Sequence, residues 1–146
     1  MRLGDRRGVT LIELMIVVLI IATIAGIAIP NMQRALLRAR AVDAMADLNA
    51  IRVALLNYQA EEDVWPADEN RGVIPAGLEV YLPEGFSFTR DEYVLDYENH
   101  TGGAGFVGMS VRTDDEELGL MLFELLGNNT FLQGTDGYAW VIEWTS

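Results

Sequence analysis

The chain has 146 residues, room for one modest core plus an anchor and too few for two full domains. Its formal charge of -12 comes from 22 acidic and 10 basic residues. The acids are concentrated late: from Glu61 onward, 18 acids face only Arg71, Arg90 and Arg112, a sign that repels phosphate backbones and excludes nucleic acid as a partner of that part. Cysteine is absent, which excludes disulfides, thiolate catalysis and sulfur-ligated zinc, and lysine is absent as well.

The N-terminus carries Arg2, Arg6 and Arg7 with only Asp5 opposing. From Leu14 to Gln33 no residue is charged, and 20 residues of helix rise about 30 Å, the thickness of a bilayer core. The segment is expected to span a membrane, and the arginines in front place its start in the cytoplasm and everything after Pro30 outside. The apolar run is too long for an ordinary secretory signal, and Arg6-Arg7 is weak support for a twin-arginine signal because Glu13 sits where that signal's apolar core begins. A carboxylate at the mouth of such a segment is costly in hydrocarbon, which makes Glu13 a candidate functional residue. The alternative is a side chain at the interface with its carboxylate in water. Ala22 and Gly26 allow close helix approach, a weak signal among membrane spans.

Beyond Pro30 helical patterning continues. Leu37, Ala41, Ala44, Leu48, Ile51, Leu55 and Tyr58 alternate steps of four and three, while Arg38, Asp43, Asp47 and Arg52 fall off that stripe. The spacing predicts one helix from Val9 to about Glu62, roughly 80 Å long, with Gly26 and Pro30 as the expected points of kinking. Trp65-Pro66 cannot continue it. The stripe needs a cover, which the remaining residues must supply.

Residues 67–77 read as a connecting loop. Phe86 to Phe88, Tyr93 to Glu98, Phe106 to Thr113 and Tyr138 to Trp144 read as antiparallel strands. Thr113 to Glu116 followed by "LGLMLFELLG" reads as a capping box, an apolar helix and a stop at Gly127. The fold class expected is α+β: a long N-terminal helix packed on a small antiparallel sheet.

Few residues invite a chemical reading. The acids Asp114 to Glu117 suit a calcium ion, yet a first helical turn favours acids without any metal. His100, the only histidine, has no recognisable catalytic partner in a motif. Trp65, Trp140 and Trp144 read as core or sheet residues, and Asn99 and Asn128 begin glycosylation triplets of a kind that arises often by chance. Glu92 and Asp96 are the carboxylates a membrane-anchored hydrolase would use, and nothing in their spacing supports one. No catalytic residue, metal ligand or cofactor is expected.

The stretch "RRGVTLIELMIVVLIIATIAGIAIPN" resembles the N-terminal signature of the type IV pilin superfamily, which includes pilins and the pseudopilins of type II secretion. The match covers a short basic leader ending in Gly8, then "VTLIEL", the apolar run and Pro30. The later "NYQAEEDVWPAD" is similar to the aromatic-proline region that follows the family's long helix. The resemblance implies cleavage between Gly8 and Val9 by a prepilin peptidase and N-methylation of Val9. It also implies an assembly role for Glu13, fifth after the cut, as partner to the terminal amine of a neighbouring subunit. Val9 is a departure, since phenylalanine is commoner there.

The organisation expected is then a leader 1–8, a membrane and filament-core helix 9–33, its amphipathic continuation 34–62 and a sheet-based head 63–146. The function expected is that of a non-enzymatic filament subunit. Its partners would be identical or related subunits, the peptidase, an inner-membrane platform protein, an assembly ATPase and, before assembly, lipid. Localisation is the inner membrane first and an extracytoplasmic filament afterwards. The rival reading is a bitopic membrane protein with an acidic partner-binding domain that keeps its first eight residues. Pilus and pseudopilus stay open: lack of cysteine removes the disulfide loop common in major pilins, and "FLQGTDGYAWVIEWTS" shows no calcium signature of the kind associated with major pseudopilins.

Overall fold

The computed structural model describes residues 9–102, 105–127, 130–133 and 137–144. The leader expected at residues 1–8, Gly8 included, and the candidate acceptor Asn128 lie outside the described residues. The chain divides between Leu36 and Leu37 into two compact units.

One helix, α1 (Leu11–Glu62), runs through both units with Pro30 inside it. In the first unit its apolar side chains are exposed all round, from Leu11 to Met32, and the helix is long and apolar enough to cross a membrane. Such a surface is stable in hydrocarbon or against other apolar helices, not in water. Pro30 lacks the amide that would bond the carbonyl of Gly26 four residues earlier, so the two residues together form the weak point in the ladder.

In the second unit α1 buries Ala41, Ala44, Leu48, Ile51, Ala54 and Leu55, with Leu37 and Tyr58 partly covered at the ends of the same stripe. The helix stops where Asp63 takes a left-handed conformation (φ 58°) and its amide returns to the carbonyl of Gln59 (3.0 Å). The cover is a four-stranded antiparallel sheet of β1 (Val94–Asn99), β2 (Phe106–Arg112), β3 (Thr130–Gln133) and β4 (Gly137–Trp144), in the order β1-β2-β4-β3. Leu95, Tyr97, Val107, Met109 and Val111 join the helix stripe in one core. Alternation places these residues on one sheet face, as period-two patterning requires.

Helix α2 (Glu116–Leu126) connects β2 to β3 and closes the core with Leu118 and Leu122. It lies so close to β4 that a Cβ added at Gly119 would come within 2.5 Å of the Tyr138 ring carbon Cζ. A glycine that looks like a weakness inside a helix is therefore what lets the two elements meet.

Three expectations need correction. Phe86 to Phe88 is not a strand: between the turn at Pro83 to Gly85 and an isolated bridge joining Thr89 to Val94, only the Phe88 carbonyl is drawn in, by the amide of Leu95 (2.8 Å). A strand that patterning did not suggest, β3, is only four residues long and pairs with β4. The cap of α2 is Asp115, whose carboxylate accepts from the amides of Glu117 and Leu118 (3.0 and 3.1 Å). Thr113 stands just before it: its oxygen accepts from the Asp115 amide (3.2 Å) while its hydroxyl donates to the carbonyl of Glu92 (2.8 Å).

Candidate functional site: the start of the long helix and the head junction

At the start of α1, Glu13 is held by Thr10. Its Oε2 accepts from the Thr10 amide (2.8 Å) and the Thr10 hydroxyl (2.7 Å), while the Glu13 amide donates back to Thr10 Oγ1 (3.3 Å). This is a capping box: a hydroxyl residue and a glutamate three positions on satisfy each other's orphan donors at a helix N-terminus. Thr10 was legible as T-x-x-E before an apolar run, and reading Glu13 only as a charge misses it. Both donors belong to Thr10, so the arrangement does not need residues 1–8. One carboxylate oxygen, Oε2, takes both bonds, which leaves Oε1 for another donor. Val9 is exposed beside this cap.

Further along, the Thr23 hydroxyl bonds the carbonyl of Leu19 (2.8 Å), which satisfies a polar group inside an apolar span. Gly26 has open space around the position of a missing Cβ. Val9 thus precedes the helix, while Glu13, Gly26 and Pro30 lie on its exposed apolar part.

In the head unit, polar groups concentrate where α1 meets the residues before β1. Asp47 accepts from Arg90 through Nε and Nη2 (2.8 and 3.0 Å) and from the Tyr93 hydroxyl (2.8 Å). Arg40 pairs with Glu92 (3.0 Å). A cleft of about 480 Å³ lies between these groups, and Arg40, Asp47, Arg90, Glu92 and Tyr93 in its lining already hold one another. Burial, and then the bond to Asp47, push the Tyr93 hydroxyl above its ordinary range. Sequence reasoning missed this cluster because its members are more than 40 residues apart.

The remaining candidates are dispersed. Glu92 is in the ion pair just described. Asp96 lies on β1 with its carboxyl raised to about 6, chiefly by burial and next by Glu98. His100 bonds Glu98 (3.1 Å) and lies against Phe106 beyond the end of β1. Asn99 donates to the carbonyl of Pro66 (2.7 Å) and accepts from the Thr101 hydroxyl (2.8 Å), so its amide ties β1 to the connecting loop. Trp140 lies under Arg52, 5.3 Å from ring centre to guanidinium carbon, and Trp65 packs at the edge of the core. Among the described residues no group of three or more histidines or acids is arranged to hold a metal ion, and Asp114 to Glu117 open a helix instead.

A membrane-capable helix that continues into a small α+β head defines a pilin-like class of protein. Residues 4–29 match the family described as the prokaryotic N-terminal methylation motif. Over 71 residues the chain is 38% identical to the fimbrial protein EcpC of Eikenella corrodens, covering 49% of this chain and 46% of that one. Over 57 residues it is 46% identical to the type IV major pilin protein PilA of Myxococcus xanthus (strain DK1622), covering 39% of this chain and 26% of that one. The chain thus spans less than half the length of the curated relatives it matches. No solved structure matches.

Proposed function

We propose that the chain is a structural subunit of a type IV pilus, cut between Gly8 and Val9 by a prepilin peptidase, methylated on Val9 and polymerised through α1. The observation that carries this reading is the combination at the helix start: a methylation motif over residues 4–29 and a lone carboxylate, Glu13, on the first part of α1, whose large apolar side chains from Leu11 to Met32 are exposed among the described residues. Cleavage creates an ammonium on Val9 about one turn from Glu13, and in an apolar setting each charge needs a partner. A neighbour displaced along the axis presents its Glu13 to that amine, and a head-to-tail contact repeated without closure makes a helical filament. The capping box holds the carboxylate at the helix start while leaving one oxygen for the incoming ammonium.

The names of the relatives, a fimbrial protein and a type IV major pilin, favour the pilus over the secretion pseudopilus. Before assembly the subunit lies in the inner membrane with its start in the cytoplasm, and the assembly ATPase, platform protein and peptidase are its machinery. Gly26 and Pro30 give the helix its bend inside the filament. No catalytic role is proposed for the head. Mass spectrometry of the assembled protein tests the reading: a mature chain beginning at methylated Val9 is expected, and intact Met1 on surface-exposed filaments overturns it.

A further inference from the structure

Between Leu37 and Glu62 the head covers one face of α1, and the opposite face is also apolar. Val42, Ala46, Val53 and Leu56 fall on it with the single amide of Asn49, in alternating steps of four and three, and all are exposed, Val42 at 50% and Val53 at 57%. A helix that is apolar on both sides belongs in an interior, and here the chain itself buries only one side. Arg38 and Arg52 flank this outer stripe, and Arg38 has no ion pair among the described residues.

One other helix presents its reverse. On α2 the outward face holds Leu120 and Phe123, exposed at 60% and 40%, set among Glu116, Glu117 and Glu124, none of them in an ion pair among the described residues. An apolar stripe flanked by arginines and an apolar pair flanked by glutamates are complementary in both respects. We infer that, in the filament proposed above, the outer stripe of α1 in one copy receives the outward face of α2 from a second copy of this chain, with Leu120 and Phe123 against Val42 and Val53 and the glutamates facing Arg38 and Arg52. The occupant is another head rather than an apolar helix, because an uncharged partner would leave Arg38 without a counter-charge at the contact.

The inference rests on the filament reading, and its test separates the two. The chain has no cysteine, so a double variant Val42→Cys with Leu120→Cys carries the only thiols. Copper-catalysed air oxidation of sheared filaments is expected to give a ladder of disulfide-linked multimers from the double variant and monomer from either single variant. Filaments of the double variant that stay monomeric on the gel, or dimers from Val42→Cys alone, overturn the contact while leaving the pilus reading intact. Absence of any filament from the wild type overturns both. Charge exchange provides a second readout that does not depend on thiols. Arg38→Glu is expected to lower filament yield by about tenfold or more, and adding Glu124→Arg to restore it. A yield unchanged by Arg38→Glu, or one that Glu124→Arg lowers further, overturns the assignment.

Discussion

The junction at Asp47 sets how firmly the head holds the helix, and removing it is a quantitative test of the fold. Asp47→Ala deletes the acceptor of three hydrogen bonds, two from Arg90 and one from Tyr93. The Arg90 side chain is 39% exposed, so its share is that of a surface ion pair, about 0.5 to 1 kcal/mol after solvent screening. The Tyr93 residue is buried, and a buried hydroxyl left without its acceptor costs roughly 1 to 2 kcal/mol. Together the loss is about 1.5 to 3 kcal/mol against a total stability of roughly 5 to 15 for a domain of this size. The assay is thermal and urea unfolding of a fragment from Gln33 to Ser146, followed by circular dichroism. A midpoint lowered by about 10 °C is expected, with an unchanged urea slope. Tyr93→Phe should cost about 1 kcal/mol and nothing further on the Asp47→Ala background, because the hydroxyl then has no acceptor to lose. A shift under about 2 °C for Asp47→Ala, or full additivity with Tyr93→Phe, would refute the account.

Other perturbations reach different parts of the molecule. Leu48→Asp places an unpaired carboxylate at the centre of the core and should unfold the same fragment, read as loss of the cooperative melt. Gly119→Ala should destabilise it by about 1 to 3 kcal/mol through the clash with Tyr138, although alanine is the better helix former, and Tyr138→Phe should relieve little because ring carbons are also too near. Asp96 has its folded carboxyl raised to about 6 from 3.8, so its contribution to stability is fully present below about 4 and is lost as pH rises through 6. Asp96→Asn should therefore stabilise the fragment at pH 7, by about 1 kcal/mol once its partial exposure is discounted, and flatten the slope between pH 4 and 7 in urea titrations at several pH values. Glu13→Gln keeps the capping geometry with Thr10 and deletes the charge, so cleavage after Gly8 and membrane insertion should persist while filament yield falls by roughly a hundredfold or more. Wild-type filament yield in a Glu13→Gln strain lacking other pilin-like subunits returns Glu13 to an interfacial role.

Features set by local periodicity were legible in the sequence, and those set by long-range encounters were not. The stripe from Leu37 to Tyr58 is a 3.6-residue pattern that any cover has to respect, and the observed core follows it. The cap of α2 is Asp115 rather than Thr113, whose hydroxyl donates to the carbonyl of Glu92, 21 residues earlier in the chain, and accepts from the Asp115 amide instead of from the first turn of the helix. Gly119 reads as a helix defect until Tyr138 is placed over it, and β3 has too few residues to show alternation. The Asp47 cluster depends on a loop bringing Arg90 and Tyr93 back onto the helix, a placement with no local signature. At the helix start the opposite holds. Thr10 and Glu13 are three residues apart, and their bonds were readable from the T-x-x-E spacing alone.

The division of labour along α1 explains why assembly and stability can be perturbed separately. The large apolar residues from Leu11 to Met32 are exposed, so substitutions at them remove no core contact from the head. Ala41 to Leu55 on the inner stripe are buried by the head, and substitutions there act on folding before they reach any neighbour. The outer stripe of the same segment belongs to neither group: Val42 and Val53 contribute little to the head's own core, yet leaving them in water is unfavourable for every subunit. Sites without shared partners should act additively. A pair such as Glu13→Gln with Asp47→Ala should therefore combine a filament defect of the first kind with a melting shift of the second, and coupling between the two would mean that the head and the helix start communicate through the subunit.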